Sequence, residues 1–395
     1  MSIDLPRGPA RVAFYNDPRV RSIAYQLALA AAVGFLVYSA TSNAIDNLQR
    51  AHITSGFGFW NTTAGFDISQ TLIPYDSQVS TYGRAFWVGL LNTLLVAGLG
   101  IVFATVLGFI IGISRLSTNW LLAKTAGGYV ETIRNIPLLL QLLFWYNAVL
   151  KTLPETRDSI VIAGGAYLNN RGLFLPDPVF LYGFDVVLAA LAVGIAAAIG
   201  FIFWARKRQE RTGRQAPVFW VVAALVIGSP LAAVALKGFP LAFDYPQVGR
   251  FNITGGIEVL PEFAALLFGL TIYTAAFIAE VVRAGILAVS QGQIEAAYSL
   301  GLKPAPTLRL IVVPQAMRVI IPPLTSQYLN LTKNSTLAVA IGYPDLVQIF
   351  TGTVLNQTGQ AVTVVAVTMA VYLTISLVTS LLMNIYNRHV ALVER

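Results

Sequence analysis

Long apolar runs separated by shorter polar segments organise this chain. A bilayer core about 30 Å thick is crossed by a helix of about 20 apolar residues, whose backbone groups bond to one another. Runs of this length predict eight transmembrane helices, to within a few residues at each end. They lie near 22–42, 86–113, 131–150, 184–204, 217–236, 262–283, 319–341 and 364–385. The pattern therefore predicts an all-α polytopic membrane protein.

The first run, at 22–42, has two interpretations. Arg19 and Arg21 precede it and the small residues Ala40 and Ser42 follow it, as in a cleaved signal peptide. The run is longer than the roughly 7–15 apolar residues of a signal peptide, which favours an uncleaved anchor. Eight spans place both termini on one side of the membrane.

Composition agrees with a membrane protein. Of 395 residues, 56% are hydrophobic and 11% are charged, with a mean hydropathy of +0.68. A soluble globule has roughly a quarter of its residues charged. The chain has no Cys, and its two His, His52 and His389, are far apart in sequence. These counts point away from redox and metal chemistry, and we expect no catalytic residue, metal ligand or bound cofactor in this chain.

The chain has a net charge of +8, and the distribution of its cations predicts an orientation. Lys and Arg concentrate in the cytoplasmic segments of membrane proteins. A cytoplasmic N-terminus places 18 of the 26 cations inside, and the outer segments then have seven cations against 11 acidic residues. The densest group joins the spans at 184–204 and 217–236, and consists of Arg206, Lys207, Arg208, Arg211 and Arg214. Both termini are therefore expected to be cytoplasmic, and nucleic acid is not an expected partner.

Three outer loops, at 43–85, 151–183 and 237–261, are long and rich in Gly, Pro, Asn and aromatic residues, and we expect them to form folded caps. The hairpin of spans 184–204 and 217–236 is rich in Ala and Gly and has no charge within the membrane. It is expected to be a peripheral insertion. No strong internal repeat is visible, which argues against an inverted-repeat secondary transporter.

The connection between spans 262–283 and 319–341 predicts a helix, a sharp corner and a second helix. The first helix has a small apolar face with the spacing i, i+3, i+4 and i+7, formed by Ile294, Ala297, Tyr298 and Gly301. Gly301 is placed to end it in a left-handed conformation, and Pro304 and Pro306 prevent its continuation. Such a face requires a partner. The alternative is a helix resting on lipid, but the face is small and the loop has few cations.

The same connection contains Glu295-Ala296-Ala297, then Gly301, Ile311 and Pro314, and it resembles the EAA loop of ABC importer permeases. Four other stretches resemble the polar amino-acid permeases of the histidine/glutamine class: Gly89-Leu90-Leu91-Asn92-Thr93-Leu94, Arg134-Asn135-Ile136-Pro137-Leu138, Tyr273 to Glu280, and Lys333-Asn334-Ser335-Thr336-Leu337. Together these motifs span about 85–385. The length, the inserted hairpin and Gly56-Phe57-Gly58-Phe59 resemble most the general L-amino-acid permeases of the Aap/Bzt type (AapQ-like).

The resemblance implies a type I ABC importer permease core at 86–385, with an inserted loop and hairpin at about 151–250. A tail, the first anchor and a periplasmic loop form 1–85, and a cytoplasmic tail forms 386–395. A coupling helix would bind the ATPase through Gly292, Glu295, Ala296, Ala297, Gly301 and Pro314. The implied location is a bacterial inner membrane.

Several partners follow from the same resemblance. They are two ABC ATPase subunits, a second and related permease subunit, a periplasmic amino-acid-binding protein, an L-amino acid cargo and membrane lipid. The chain has no Gly-x-x-x-x-Gly-Lys-Ser/Thr sequence. We therefore expect ATP and Mg²⁺ to be bound by the partner ATPase.

Polar groups inside spans are costly, which makes them candidates for a substrate pathway. The candidates are Asn92, Thr93, Gln141, Tyr273, Glu280, Arg283, Lys333, Asn334 and Ser335. Each has a structural alternative: Glu280 can pair with Arg283 one turn later, and Lys333 can hold two helices together. Asn92, Thr93 and Gln141 fit packing hydrogen bonds better, and Gly108 and Gly112 form a GxxxG motif typical of close helix packing.

Three alternative functions remain open. An ion-coupled secondary transporter would use an intramembrane carboxylate, for which Glu280 is the candidate. An ABC permease for another polar solute, such as a phosphonate or an opine, would share the same architecture. A membrane enzyme would require a cluster of acids, bases or nucleophiles, against which the scarcity of His and Cys argues.

Overall fold

The computed structural model describes residues 18–50, 56–162, 164–249 and 252–390. Most of the predicted N-terminal tail, the last five residues and Arg250 lie outside the described residues. Among the described residues, seven helices are long and apolar enough to cross a membrane, and a bent helix pair provides an eighth. This confirms the polytopic helical prediction.

Helices appear in this order along the chain: α1 (Pro18–Arg50), α2 (Tyr82–Ser114), α3 (Trp120–Asn135), α4 (Leu138–Leu143), α5 (Phe184–Thr212), α6 (Val218–Ala223), α7 (Ser229–Leu236), α8 (Pro261–Leu287), α9 (Gln291–Ser299), α10 (Pro304–Thr307), α11 (Val313–Asn334), α12 (Leu355–Thr358) and α13 (Ala361–Val390). Four π-helical segments, Phe144–Leu150, Ala224–Gly228, Leu308–Val312 and Gln348–Val354, continue or join these helices. Three 3₁₀ segments are Gly58–Asn61, Thr156–Asp158 and Ser335–Ile341.

The predicted span at 131–150 is present as a sharply bent helix pair. It consists of the end of α3 and a second helical segment from Leu138, and the two axes differ by 104°. Pro137 disfavours helical backbone at the residue before it, and Ile136 is extended at φ −98° and ψ 127°. The apolar run hides this break because both sides of it are equally hydrophobic.

The centre of the bundle is formed by α2, α8 and α11. A Cβ atom added at Gly108 would lie 2.6 Å from the Ile278 side chain, and one at Gly112 would lie 2.8 Å from the Ala279 carbonyl oxygen. The two glycines therefore let α2 approach α8 closely. This confirms the packing interpretation of the GxxxG motif.

The second and third outer loops fold together into small antiparallel sheets, here called the β cap. The strands are β1 (Ile160–Ile162), β2 (Ala166–Asn169), β3 (Gly172–Leu175), β4 (Asp177–Phe180), β5 (Leu241–Asp244), β6 (Gln247–Val248), β7 (Ile253–Thr254) and β8 (Ile257–Val259). One sheet has the order β1-β2-β3-β8, and the others pair β4 with β5 and β6 with β7. The loops are folded, as predicted, but the all-α prediction overlooked these strands.

The inserted hairpin of α5, α6 and α7 rises from the β4–β5 ribbon. Its helices pack chiefly against each other. Ser229 donates hydrogen bonds to the carbonyls of Ala190, at 3.0 Å, and Leu225, at 2.6 Å. The hairpin is thus peripheral to the central bundle, as predicted.

We call the membrane face near the strands the cap side, and the opposite face, at the corner between α9 and α10, the elbow side.

Candidate functional site

The elbow is the segment Gln291–Thr307, which turns sharply between α9 and α10. The amide of Gly301 donates to the Tyr298 carbonyl at 2.9 Å, and the amide of Leu302 donates to the Ala297 carbonyl at 3.1 Å. This pair of bonds is the Schellman arrangement, which places a left-handed residue after the helix. Gly301 has φ +78°, which confirms the predicted helix end.

The apolar face of α9 is divided between the protein and the surroundings. Ala297 is 1% exposed, and Ile294 packs against the central core. Tyr298 is 50% exposed and Leu300 is 82% exposed. Leu300 and Tyr298 thus leave apolar area exposed at the end of α9, while Ala297 and Ile294 attach the helix to the bundle.

Other predicted coupling residues lie on or near this outer surface. Gly292, Glu295 and Ala296 are exposed on α9, and Pro314 lies in the first turn of α11. Pro314 has no amide hydrogen to donate into the preceding turn, and the π-helical segment Leu308–Val312 ends directly before α11.

The elbow is continuous with the central bundle at both ends. A single helical span runs from Pro304 to Ile341, and only residues 288–290 separate α8 from α9. The elbow is therefore joined to α8 by three residues and to α11 by continuous helical backbone.

A charged cluster lies near the elbow-side end of α8. Glu280 accepts hydrogen bonds from Arg115, at the end of α2, and from Arg283, whose Nη2 is 2.6 Å from Oε1. Arg134 of α3 is 3.9 Å from Oε2. The predicted Glu280–Arg283 pair is present, and two further arginines join it. One carboxylate and three guanidinium groups leave the cluster with a net charge of about +2.

An aromatic stripe leads to this cluster along α8. The rings of Tyr273 and Phe277 are 4.9 Å apart, and the Arg134 guanidinium carbon is 5.0 Å from the centre of the Phe277 ring. Tyr273 is half-buried. Aromatic faces beside guanidinium groups can bind both the apolar stem and the charged ends of a small zwitterion.

A second polar group lies where α11 changes to a 3₁₀ helix. Lys333 is exposed and forms no ion pair with any residue that the structure describes. Asn334 is half-buried, and Ser335 is fully buried with its hydroxyl bonded to the Thr332 carbonyl at 2.8 Å. Lys333 and Asn334 are therefore open to a ligand or a partner, whereas Ser335 is occupied by the backbone.

The two charged sites lie at different depths. Gly285 of α8 packs against Ile320 of α11. From that level, Glu280 is five residues toward the cap side and Lys333 is thirteen, or about 8 Å and about 20 Å at 1.5 Å per residue. The sites are thus about 12 Å apart along the helices, and one small amino acid cannot bridge them.

Asn92 and Thr93 are used in packing. Both are fully buried on α2 against the helix break that follows Ile341. The Asn92 amide donates to the Pro344 carbonyl at 2.8 Å, and the Leu346 amide donates to the Thr93 hydroxyl at 3.0 Å. These bonds satisfy backbone groups that the break removes from helical pairing.

Gln141 has the same role at the bend between α3 and α4. Its amide donates to the Ile133 and Ile136 carbonyls, each at 2.9 Å, and it is 6% exposed. Of the nine predicted pathway residues, Asn92, Thr93 and Gln141 are the buried packing groups that the structural alternative described.

Sequence reasoning did not identify Arg115 or Arg134 as partners of Glu280. The only signal for Arg115 is its position as the first cation after a long apolar run. Asp345 was also missed. It is fully buried in the helix break and accepts hydrogen bonds from the Gln348 amide at 2.8 Å and the Tyr372 hydroxyl at 3.3 Å.

Comparison with known proteins places this architecture among transport proteins. Residues 211–392 match the family model described as binding-protein-dependent transport system inner membrane component. The general L-amino acid transport system permease protein AapQ of Rhizobium johnstonii is 54% identical over 386 residues, covering 98% of this chain and 96% of that protein. The glutamate/glutamine/aspartate/asparagine transport system permease protein BztB of Rhodobacter capsulatus is 43% identical, with 100% of each chain covered.

Proposed function

The chain belongs to the family of binding-protein-dependent ABC importer permeases, and from this premise we propose that it conducts L-amino acids across the bacterial inner membrane. The observation that carries the proposal is full-length similarity to permeases named for amino-acid transport, which includes the inserted hairpin. The elbow supplies a matching structural element, because its exposed face lies on a helix that only three residues separate from α8. Glutamate, glutamine, aspartate and asparagine, named for one relative, are the first cargoes to test.

The proposed assembly contains two ATPase subunits, a second related permease and a periplasmic binding protein. ATP and Mg²⁺ bind the ATPase subunits in this proposal. The elbow faces the cytoplasm, as do both termini, and the β cap faces the periplasm. The placement of five cations at the end of α5 and in the turn to α6 supports this orientation.

Coupling occurs through the exposed face of α9. Glu295, Ala296 and Tyr298 contact a groove of the ATPase, with Leu300 as an apolar anchor, while Ala297 fixes the helix to the bundle. Closure of two ATPase subunits draws the two coupling helices together, and α8 and α11 move with them. The pathway then opens to the periplasm, and reopening of the ATPases releases the cargo inward.

We assign the two charged sites to successive positions of the cargo. Lys333 and Asn334 lie nearer the periplasm, where an ammonium group and an amide can bind the α-carboxylate of an entering amino acid. The cluster of Glu280 and its arginines lies about 12 Å deeper by helix rise. Tyr273 and Phe277 lead to this second site, where the net positive charge of the arginines attracts carboxylates and Glu280 holds the arginines in place.

The arrangement around Glu280 disfavours the secondary-transporter alternative. A carboxylate that carries a coupling ion must exchange partners during each cycle. Glu280 already has Arg115 and Arg283 as hydrogen-bonding partners and Arg134 close by. To carry a coupling ion, Glu280 would have to break its interactions with all three arginines in every transport cycle.

The test is uptake of radiolabelled L-amino acids by vesicles that contain the chain with its co-purified partners. We expect uptake to require ATP and to persist when ion gradients are collapsed. Glu295→Lys should abolish uptake and leave ATP hydrolysis uncoupled, because it reverses a charge on the exposed face of the elbow. Glu131→Lys makes the same change on exposed α3 and should preserve uptake. ATP-independent uptake, or normal uptake by Glu295→Lys, would refute the proposal.

A further inference from the structure

Residues 206–214 form a basic segment that covers the end of α5 and the turn to α6, here called the turn between α5 and α6. Its cations are Arg206, Lys207, Arg208, Arg211 and Arg214, all exposed. Within the described residues none of them forms an ion pair, although the acidic Glu210 lies among them. An uncompensated charge of about +4 therefore remains on one short turn.

Exposed aromatic side chains lie directly on the membrane side of this turn. Phe203, Trp204, Phe219 and Trp220 are between 51% and 74% exposed. The Arg208 guanidinium carbon lies 5.2 Å from the centre of the Trp204 ring. Aromatic belts of this kind lie at the level of lipid headgroups.

Helix length places the cations at the same level. The apolar part of α5, residues 184–204, is 21 residues or about 31 Å long, which matches a bilayer core of about 30 Å. Residues 205–212 extend the helix by about 12 Å beyond that core. Arg206, Lys207, Arg208 and Arg211 therefore project from the part of the helix that crosses the phosphate layer.

We propose that this turn binds the headgroups of anionic phospholipids and thereby anchors the inserted hairpin. The leaflet is the one at whose surface the turn lies, which is cytoplasmic in the orientation proposed above. Guanidinium groups bind phosphate oxygens in a bidentate manner, and clusters of four to eight cations beside a transmembrane helix attract anionic lipid. Lipid fits better than an acidic protein surface because the aromatic belt fixes the turn at headgroup depth.

Few contacts within the described part of the chain hold the elbow-side end of the hairpin against the central bundle. Its helices pack chiefly against each other, and its covalent connections to the bundle pass through the β cap on the far side of the membrane. Bound lipid would hold the elbow-side end of the hairpin, where packing against the central helices does little.

The test uses the absence of native Cys to place one fluorophore near the turn. Ile199, which is 50% exposed and lies five residues before Trp204, is replaced by Cys and labelled with bimane. The complete importer is reconstituted in mixtures of phosphatidylcholine and phosphatidylglycerol, with bromine on the acyl chains of one lipid at a time. Quenching then reports which lipid occupies the neighbourhood. A label at Leu377 of α13, which is 61% exposed, serves as the comparison site.

We expect phosphatidylglycerol to be preferred at least fivefold at position 199, which corresponds to about 1 kcal/mol for one cation. The preference should fall strongly in the triple variant R208Q/R211Q/R214Q, which lowers the charge of the turn from about +4 to about +1, and should be retained in R208K/R211K/R214K. Arg206 and Lys207 stay in place to preserve the orientation signal. In the unmodified protein, 1 M salt should reduce the preference for phosphatidylglycerol, because the Debye length shortens to about 3 Å.

Two results would overturn the proposal. One is equal quenching by both lipids at position 199, including at low salt in the unmodified protein. The other is a preference that is undiminished in the triple Gln variant or equally large at Leu377, since lipid would then be attracted by another surface. The salt comparison needs no substitution in the turn, so the proposal can fail even if a variant does not assemble.

Discussion

Gly301→Ala should loosen the elbow without removing a single side-chain contact. A Cβ atom at this position would meet nothing within 4 Å, so the whole effect comes from the backbone, whose φ is +78°. A residue with a Cβ costs about 1–2 kcal/mol in this conformation relative to glycine. That free energy corresponds to a factor of about 5–30 in the equilibrium between the closed and opened helix end.

Hydrogen exchange of the assembled importer measures this equilibrium directly. The amides of Gly301 and Leu302 form the two bonds that close the end of α9. Their protection should fall about 5–30-fold in Gly301→Ala, somewhat less in Gly301→Asn and more in Gly301→Val. Uptake per ATP hydrolysed should fall in the same order, because a loosened elbow transmits less displacement to α8 and α11.

Gly98→Ala provides the matched control. Gly98 is helical and exposed, and a Cβ there also meets nothing within 4 Å. Alanine should stabilise α2 locally by up to about 1 kcal/mol. If Gly301→Ala behaves like Gly98→Ala in both exchange and coupling, the left-handed corner is not what holds the elbow.

Three further predictions concern the bundle and the two charged sites. Gly108→Val should lower stability by about 1–3 kcal/mol through overpacking against Ile278, seen as a reduced thermal midpoint, whereas Gly98→Val should not; equal midpoints would contradict the packing argument. Glu280→Gln should cost about 1.5–3 kcal/mol, because Arg115 is only 15% exposed, and a double-mutant cycle with Arg115→Gln should show coupling; strictly additive losses would mean that the pair does not interact. Lys333→Met should raise the KM for uptake without shifting the thermal midpoint, and Lys333→Arg should restore part of the affinity; an unchanged KM would exclude Lys333 from the proposed cargo pathway.

Local features of the chain were predictable because their causes are adjacent in sequence. The end of α9 depends on Gly301 and the prolines that follow it within five residues. The GxxxG motif of α2 and the Glu280–Arg283 pair likewise depend on spacings of one helical turn. Apolar run length identified the spans for the same reason.

Features that depend on distant residues were not predictable in this way. Arg115 and Glu280 are 165 residues apart, so no local sequence pattern predicts their contact. The pairing of Leu173 with Val259 joins strands on opposite sides of the inserted hairpin. The bend at Pro137 was local, but the criterion of apolar length does not register a change of direction.

The β4–β5 ribbon makes the inserted hairpin separable from the rest of the chain. Phe180 and Leu241 are paired across the ribbon, and the Leu181 amide donates to the Pro240 carbonyl at 3.1 Å. The chain therefore departs and returns at neighbouring points, so a two-residue turn would close the ribbon if the hairpin were excised. A single insertion or deletion at this junction can therefore add or remove the whole hairpin. The order in which the chain connects the helices of the bundle would not change.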